Sequence, residues 1–435
     1  MLLYDGGKMK VAFYTLGCKV NQYETDLMMK KFKEAKYEIV DFEEKADIYV
    51  INSCSVTNLS TRKTRQILSK ASKNNGITVL CGCYAQEIKD KYIELKNVDI
   101  IIGNEEKENI VDIVNEYKKN SEILVKVSDI SKVKEYSGKA ILDTGINIRE
   151  SVKIEDGCNN FCSYCIIPYV RGRVRSRKIE DIITEIENLV KSGVGEIVLV
   201  GIEIASYGKD LEDEITLIDV IEKVNKIEGL KRIRLGSIEP RILTEDNIKK
   251  MAKFEKLCPH FHISVQNLDN DVLKRMNRKY TREDIFKIAE NLKKYFNDVA
   301  LTCDIIVGFP GETEEEFKNT IDGIKKVGFY EVHAFKYSKR KWTRAATMEN
   351  QVDGNIAIAR SKELIKVANK LKRNYMESYL NKKMNVLFEL YSDGYLYGYT
   401  NNYIKVKVEG DKKLWGLMEE IELDSIEEEL ILGNI

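Results

Sequence analysis

The sequence has few histidines, no long apolar run and no excess of charge of either sign. Only three histidines occur among 435 residues, so a metal site built on imidazole is not expected. The 70 basic and 70 acidic residues cancel, which argues against nucleic-acid binding over the whole surface but allows local basic patches. No segment approaches the length of a membrane span, and Met1–Lys10 lacks the apolar core of a signal peptide.

Cysteine, by contrast, is well represented. The chain has nine, an odd number that argues against a pure disulfide framework. With no targeting signal we expect a cytoplasmic protein, in which thiols stay reduced and can bind metal. A composition of 43% hydrophobic and 32% charged residues is that of an ordinary globular protein, and the length suits two or three domains.

Three cysteines form a C-x3-C-x2-C motif at Cys158, Cys162 and Cys165. Three close thiolates can hold three irons of a cubane cluster and leave the fourth open. An open iron can chelate the amino and carboxylate groups of S-adenosylmethionine (SAM) and deliver one electron to it. Buried or zinc-binding cysteines are the less favoured alternatives, because zinc needs a fourth ligand and the next 90 residues contain no Cys or His. The spacing, with Tyr164 before the last cysteine, resembles the radical-SAM superfamily.

Residues 9–135 alternate strand and helix patterns, which predicts a parallel sheet. The predicted strands are Val11–Thr15, Asp47–Asn52, Ile77–Cys81 and Val98–Ile102, and the predicted helices are Gln22–Lys36 and Ser60–Lys73. Cys18, Cys54 and Cys83 each follow a different strand, and such loops gather at one edge of a parallel sheet. We therefore predict a second three-thiolate cluster site, against the alternative of small buried apolar residues. Cys81 is more typical of a core position, but spacing alone does not decide between Cys81 and Cys83.

A second α/β region follows a predicted linker at residues 136–146. Six strands with helices between them predict a partial barrel, whose chemistry would lie at the carboxyl ends of the strands. These strands are Val152–Glu155, Glu196–Val200, Arg232–Gly236, His262–Gln266, Leu301–Val307 and Val332–Tyr337. The cysteine motif directly follows the first of them.

The last part of the chain changes pattern. Residues 345–380 predict a long helical connector, and short strands follow from Met384. These strands are Asn385–Leu390, Tyr395–Thr400, Ile404–Val408, Leu414–Leu423 and Leu430–Leu432. They predict a small barrel, a shape common in RNA contact and equally consistent with a structural cap.

Motifs in all three regions resemble the radical-SAM methylthiotransferase family. They are Leu16–Thr25, Arg62–Gln66, Gly82–Gln86, the cysteine motif and Gly398–Ile404. The resemblance implies an α/β protein with an N-terminal flavodoxin-like parallel sheet (1–135), a central partial (β/α)6 radical-SAM barrel (144–375) and a C-terminal small β-barrel called TRAM (376–435). It favours Cys83 over Cys81, because the family's cysteine follows a glycine and precedes an aromatic residue.

The resemblance also implies a reaction and its cofactors. The motifs are similar to the branch of the family that methylthiolates carbon 2 of N6-threonylcarbamoyladenosine beside the tRNA anticodon. The implied cofactors are SAM and two [4Fe–4S] clusters, and the implied partners are the tRNA anticodon stem-loop and an electron donor such as flavodoxin or ferredoxin. The catalytic and metal-binding residues would be Cys158, Cys162 and Cys165 for the radical, and Cys18, Cys54 and Cys83 for the sulfur.

Two charged positions are candidate SAM ligands. Glu203 follows the second barrel strand, where radical-SAM proteins often bind the methionyl amino group; a solvent-exposed loop acid is an equally consistent interpretation. Arg177 ends the arginine run that begins at Arg171, and such arginines can clamp a SAM carboxylate or tRNA phosphates. The alternative is a solvated charged face.

Four positions at strand ends are further candidates. Ser264 and Gln266 end the fourth barrel strand and would contact the SAM ribose. Gly308 and Gly311 follow the fifth and would let the backbone approach adenine or methionine. A plain strand-to-helix turn capped by Thr313 explains the glycines as well.

The chain also departs from the family pattern. Leu268 stands in a turn that is usually Ser-Gly-Ser, Trp342 stands where glycine is usual, and Lys336 where proline is common. The two lost glycines predict either lower activity or a rebuilt SAM pocket. Alternative functions are therefore an iron–sulfur RNA-binding protein without activity, or methylthiolation of isopentenyladenosine or of a ribosomal-protein aspartate.

Aromatic residues of the last region leave one more question open. Tyr397, Tyr399 and Tyr403 would either stack on unpaired bases or belong to the core of the small barrel. His262 alternates with apolar residues and is interpreted as a satisfied barrel residue rather than a ligand.

Overall fold

The structure, a computed structural model, describes residues 8–91, 95, 97–120, 122–138 and 147–435. The chain divides into two compact units. The first comprises Met1–Thr144, Glu155–Ser176 and Ser338–Ala346, and the second comprises Gly145–Ile154, Arg177–Tyr337 and Thr347–Ile435. Most of the predicted linker, residues 139–146, lies outside the described residues. The predicted boundaries 1–135, 144–375 and 376–435 stay predictions.

The first unit is built on a six-stranded sheet in which every neighbouring pair is parallel. Its strands are β1 (Lys10–Thr15), β2 (Glu38–Val40), β3 (Ile48–Ser53), β4 (Ile77–Gly82), β5 (Ile100–Ile102) and β6 (Leu124–Lys126), in the order β2-β1-β3-β4-β5-β6. Its helices are α1 (Lys19–Glu34), α2 (Asn58–Ala71), α3 (Cys83–Glu87) and α4 (Ile110–Asn120). The order 2-1-3-4-5 is the flavodoxin-like one, so the predicted fold is confirmed. The sequence reading missed β2 and β6, which are only three residues long.

The second unit contains six parallel strands that follow one another in space as they do in sequence. They are β7 (Arg149–Lys153), β10 (Glu196–Val200), β11 (Arg232–Leu235), β12 (His260–Gln266), β13 (Ala300–Val307) and β14 (Glu331–Lys336). Parallel bridges Ile233–Leu257 and Ile238–Ile263 join the two three-stranded halves. The intervening β8 (Glu155–Asp156) and β9 (Arg175–Ser176) form an antiparallel pair in the first unit, together with the short helix α5 (Ile167–Val170).

Helices follow these strands and bury one face each. They are α6 (Ile179–Lys191), α7 (Leu217–Asn225), α8 (Glu245–Met251), α9 (Asn270–Arg275), α10 (Arg282–Tyr295), α11 (Glu314–Val327) and α12 (Gly354–Glu377). On α6 the predicted apolar spacing buries Ile179, Ile182, Ile186 and Leu189. Capping boxes begin α7, α10 and α11. The predicted helical connector at 345–380 begins only at Gly354, where Asp353 caps α12 by accepting from the Asn355 amide.

The chain ends in a closed five-stranded barrel in the second unit. Its strands are β15 (Lys383–Ser392), β16 (Tyr395–Thr400), β17 (Lys405–Glu409), β18 (Met418–Glu427) and β19 (Leu430–Asn434). The hydrogen-bonded order β15-β16-β17-β19-β18 closes on itself, as predicted for a small β-barrel. Within the part of the chain that the structure describes, no helix is long and apolar enough to cross a membrane.

The turn after β12 shows how one departure from the family pattern is accommodated. The Leu268 side chain is fully buried. A Cβ atom built on Gly323 of α11 would lie 2.8 Å from the Cβ atom of Leu268, a distance that real side chains do not show. The missing side chain of Gly323 therefore makes room for Leu268.

We expect the effect of Gly323→Ala to change sign with the residue at position 268. In the wild-type chain, overpacking against Leu268 should exceed the helix preference of alanine and lower the free energy of unfolding by roughly 1–2 kcal/mol. With Leu268→Gly present, which removes the Cβ atom that a side chain at 323 would meet, Gly323→Ala should instead stabilise by up to about 1 kcal/mol. Calorimetric unfolding of the two single variants and the double variant measures this; additive effects would contradict the packing argument.

Candidate functional site

The first cysteine set lies at the carboxyl ends of three neighbouring strands of the first unit. Cys18 follows β1 and is the N-cap residue of α1, Cys54 follows β3, and Cys83 follows β4 as the first residue of α3. Cys18 is exposed, whereas Cys54 and Cys83 are buried. The topology of the sheet thus brings the three loops to one edge, as the sequence predicts.

Direct neighbours show that these loops meet. A Cβ atom built on Gly17 would lie 3.1 Å from the Cys54 sulfur, so the loop after β1 closes onto the loop after β3 only because residue 17 has no side chain. Burial raises the pKa of the Cys54 thiol to about 11, and the nearby Cys83 and Cys18 thiols raise it too. Three sulfurs that repel one another's negative charge in this way suit a cationic metal cluster, which would remove their protons.

Cys81 occupies a different environment. Its thiol donates to the Ile51 carbonyl across 3.6 Å, and the residue is fully buried in the apolar core under the sheet. The Cys83 sulfur instead accepts from the Arg171 Nε at 3.3 Å. The positions of the two sulfurs therefore support the choice of Cys83 that the family resemblance indicates.

The second cysteine set lies in the loop between β8 and α5. Cys158, Cys162 and Cys165 are all partly exposed. The Asn160 amide donates to the Cys158 sulfur at 3.4 Å, and the Cys165 amide donates to the Cys162 carbonyl at 3.0 Å. Gly157 has φ +84°, and a Cβ atom there would lie 1.9 Å from the Arg173 carbonyl oxygen, so only glycine fits at the start of this loop.

Arg171 links the chain segment that carries the second cysteine set to Cys83 of the first set. It follows the Cys158–Cys165 loop, and its guanidinium is fully buried. Besides Cys83, it binds Glu24 at 2.5 and 3.0 Å, Asp156 at 3.0 Å and Asn21 at 2.6 Å. Burial opposes its charge, but Asp156 and Glu24 hold the pKa of Arg171 well above its ordinary value. The guanidinium is therefore a permanent cation beside Cys83.

Sequence reasoning missed the residues that position the loops. The Asn21 side chain donates to the Leu16 carbonyl at 2.7 Å and to the Ser53 carbonyl at 3.0 Å, which ties the loops of Cys18 and Cys54 together. Lys107 pairs with Glu24 at 2.5 Å. Asn21 and Glu24 lie inside the Leu16–Thr25 motif and on α1, the helix that Cys18 begins. Their polar side chains at helical spacing from Cys18 were the signal by which the sequence could have identified them.

Most arginines of the Arg171–Arg177 run are buried. Arg171, Arg175 and Arg177 are buried, so the run is not a solvated face. Arg177 is ion-paired with Glu185 and donates to the Asp181 carbonyl at 3.0 Å. The guanidinium thus binds acceptors in the protein interior, and the predicted clamp on a SAM carboxylate stays a prediction.

Glu203 and Ser264 lie in one polar network at the strand ends of the second unit. Burial raises the pKa of Glu203 to about 7, and the neighbouring Glu239 carboxylate raises it as well. Arg278 lies 3.9 Å from Glu239 and donates to the Ser264 carbonyl at 2.9 Å. Glu203 is thus a buried carboxyl rather than an exposed loop acid, and its SAM contact stays a prediction.

Gln266, Gly308 and Gly311 lie near a second polar contact, the hydrogen bond between Asn267 and Glu312. Gln266 has φ +65°, and the next residue, Asn267, donates to Glu312 at 3.3 Å. A Cβ atom on Gly308 would lie 2.7 Å from the Ala357 Cβ of α12, so this glycine is required for helix packing. The turn ends at the Thr313 capping box, as expected for a plain strand-to-helix turn. The contacts of Ser264, Gln266, Gly308 and Gly311 with SAM stay predictions.

The three histidines all lie on the barrel strands. His262 is hydrogen-bonded to Thr302 at 2.9 Å and lies 3.2 Å from the Asp304 carboxylate, which agrees with a satisfied barrel residue. His333 is close by, with its ring centroid 5.4 Å from that of His262. His260 stacks on Tyr403 with ring centroids 4.5 Å apart.

The tyrosines of the small barrel are already engaged. Tyr399 stacks on Tyr403 with centroids 4.7 Å apart, and the guanidinium groups of Arg149 and Arg234 lie 5.0 Å and 4.7 Å from their rings. These stacks favour a packing role for Tyr399 and Tyr403 within the second unit.

Comparisons with known proteins agree with this geometry. Residues 152–324 match the Radical SAM superfamily, and residues 10–103 match the family described as UPF0004. The chain is 41% identical to threonylcarbamoyladenosine tRNA methylthiotransferase MtaB of Bacillus subtilis, over 95% of this chain and 93% of that one. It is 36% identical to the protein of the same name from Aquifex aeolicus, over 94% and 99%.

Other relatives are named for a different substrate. A tRNA-2-methylthio-N(6)-dimethylallyladenosine synthase of Clostridium tetani is 38% identical over 86% of this chain and 84% of its own. Among solved structures, the radical SAM methyltransferase TsrM of Kitasatospora setae matches with a TM-score of 0.57 and 14% identity, over 78% of this chain and 77% of that one. The last likeness concerns the fold alone.

Cys83→Ala and Cys81→Ala form a matched pair of variants. We expect Cys83→Ala to lower the iron content after anaerobic reconstitution from about eight to about four atoms per chain, because one cubane cluster loses a ligand. Cys81→Ala should keep about eight, since its sulfur faces the apolar core. Iron analysis and the charge-transfer absorption measure this. Equal iron loss in both variants would contradict the assignment.

SAM binding should depend on pH through Glu203. The carboxyl loses its proton only near pH 7, and the charged carboxylate is the form that accepts hydrogen bonds from the methionyl amino group of SAM. We therefore expect affinity to fall about tenfold per pH unit below 7 and to level off above it. Glu203→Gln should flatten this profile, and Glu239→Gln should move its midpoint to lower pH. Equilibrium dialysis on reconstituted protein measures the affinity; a flat wild-type profile would contradict the assignment.

Proposed function

The chain belongs to the radical-SAM methylthiotransferase family, and we propose that it transfers a methylthio group to carbon 2 of N6-threonylcarbamoyladenosine beside the tRNA anticodon. The proposal rests on one observation above all: two sets of three cysteines lie in the same unit, and Arg171, which follows the second set in the sequence, contacts Cys83 of the first. The similarity to the two MtaB proteins supports the choice of nucleoside.

The cysteines are suited to the cofactors of such a reaction. We propose that Cys158, Cys162 and Cys165 hold one [4Fe–4S] cluster. When bound, the clusters and SAM supply the radical, the sulfur and the methyl group that replace an aromatic C–H bond, which no ordinary acid or base can ionise.

The protein itself positions and polarises this site. Arg171 keeps a positive charge and an N–H donor 3.3 Å from the Cys83 sulfur. Asn21 holds the loops of Cys18 and Cys54 together, so that three ligands from separate loops converge. We propose Cys18 and Cys54, together with Cys83, as the three cysteine ligands of a second [4Fe–4S] cluster.

Glu203 and the strand-end residues Ser264, Gln266, Gly308 and Gly311 are the proposed SAM contacts in the second unit. The buried Glu203 carboxylate would accept hydrogen bonds from the methionyl amino group. We further propose a flavodoxin- or ferredoxin-type electron donor. A tRNA substrate and the need for reduced thiols favour a cytoplasmic location.

Nucleoside mass spectrometry of tRNA tests the proposed substrate. In a strain that lacks the gene, 2-methylthio-N6-threonylcarbamoyladenosine should disappear and its precursor without the methylthio group should accumulate. Expression of the wild-type chain or of Cys81→Ala should restore the product, and Cys83→Ala should not. Loss of the isopentenyl product instead would favour the other tRNA substrate, and an unchanged nucleoside profile would contradict both.

A further inference from the structure

Three aromatic side chains form a row beside the Cys158–Cys165 loop. The ring centroids of Phe161 and Tyr169 lie 5.9 Å apart, and those of Tyr169 and Trp342 lie 6.2 Å apart. Tyr169 is 41% exposed and Trp342 is 40% exposed. We call Phe161, Tyr169 and Trp342 the aromatic row.

The row is cationic at both ends. The Arg173 guanidinium lies 4.5 Å from the Phe161 ring centroid, and the Lys341 ammonium lies 4.8 Å from that of Trp342. Arg173 is the exposed member of an otherwise buried arginine run. Proteins bind single-stranded nucleic acid by stacking bases on exposed aromatic side chains that lie next to basic side chains.

The backbone conformation at Trp342 is energetically unfavourable for a residue other than glycine. Its φ is +66°, in the left-handed region that favours glycine, and Phe161 has φ +46°. The backbone of Trp342 is strained and its side chain is partly exposed, so burial in a core does not explain why a tryptophan stands at this position. Strain of this kind is typical of residues with a binding role.

A basic groove continues from the row. Its volume is about 540 Å³, and the cations that line it are Arg65, Lys91, Lys339, Arg340 and Lys341. The acid in its wall is Glu87, and burial raises the pKa of this carboxyl. Arg62 and Arg65 line a further depression on α2. The groove is therefore strongly positive in a chain whose net charge is zero.

Segment Ser338–Ala346 connects the groove to the cysteine loop. Arg340 is hydrogen-bonded to Asn58 and Thr61 of α2, and the Ala345 amide donates to the Ser163 carbonyl at 2.7 Å. Lys339, Arg340 and Lys341 thus line the groove while the next residue, Trp342, joins the row. Phosphates in the groove would leave an unpaired base over the row, whose Phe161 directly precedes Cys162 in the sequence.

We propose that the aromatic row and the basic groove bind the loop of the tRNA anticodon stem-loop, with an unpaired base stacked on Trp342 and Tyr169 and its backbone phosphates along Lys339, Lys341 and Arg62. This inference rests on the proposed function and adds a binding surface to it. The surface lies in the first unit and does not involve the small barrel.

Trp342 can report on its own stacking. Trp415 is the other tryptophan, so Trp415→Phe leaves Trp342 as the sole emitter. Titration of this full-length reconstituted variant with an anticodon stem-loop RNA should quench its emission. A duplex of the same length, without unpaired bases, should not. A fluorescence-labelled stem-loop gives the affinity by anisotropy in the same buffer.

Substitutions separate binding from folding. Trp342→Ala should weaken stem-loop binding about 5- to 100-fold, and Trp342→Tyr should stay within about 3-fold, since one stacking face is kept. Trp342→Gly should bind as weakly as Trp342→Ala yet melt at the same or a higher temperature, because glycine accepts the positive φ. A merely structural tryptophan would give the opposite melting result.

Salt dependence tests the groove. The double variant Arg62→Ala/Lys339→Ala should reduce the slope of log affinity against log salt by about 1 to 1.5. Lys362→Ala/Lys366→Ala, which removes two exposed cations of α12, should leave the slope unchanged.

Three results would overturn the proposal. Stem-loop binding with neither Trp342 quenching nor weaker binding of Trp342→Ala would reject the surface and leave the proposed function intact. Equal quenching by polyglutamate would assign the surface to an acidic protein instead. Absence of any stem-loop binding, together with an unchanged nucleoside profile in the deletion strain, would reject the proposed function as well.

Discussion

The Arg171 guanidinium is the interaction on which the cysteine site depends. It is fully buried, and its contacts reach Glu24 and Asn21 on α1, Asp156 on β8 and the sulfur of Cys83. A buried cation is costly unless carboxylates and hydrogen bonds compensate it, and here two carboxylates do. Because these partners come from distant parts of the sequence, the charge can be satisfied only when both cysteine loops are in place.

The second unit uses the same device. Glu196 at the start of β10 is fully buried and binds Arg234 at 2.8 Å, with Arg232 and Arg149 within 4 Å. Arg232 and Arg234 also donate to backbone carbonyls of the small barrel, at 2.8 Å to Tyr399 and 3.1 Å to Asn401. Burial opposes the charge of Glu196, but these arginines lower its pKa below the ordinary value. One ionic cluster therefore docks the small barrel onto the strands.

The departures from the family pattern have different physical outcomes. Leu268 is accommodated, because Gly323 leaves the space that its side chain fills. Trp342 is not relieved in this way: it keeps a left-handed backbone and an exposed ring. A rebuilt turn preserves the fold, whereas a strained exposed aromatic residue next to basic side chains adds a surface that glycine could not provide.

The sequence by itself determined the alternation of strands and helices, the placement of six cysteines after strands and the small barrel, because periodicity and strand-end position are local properties. It did not determine which charges are buried. The sequence of Arg171–Arg177 is consistent both with a solvated charged face and with a row of buried arginines. Only the tertiary contacts with Glu24, Asp156 and Glu185 distinguish the two. The same holds for Glu203 and Trp342, whose pKa and exposure depend on neighbours distant in sequence.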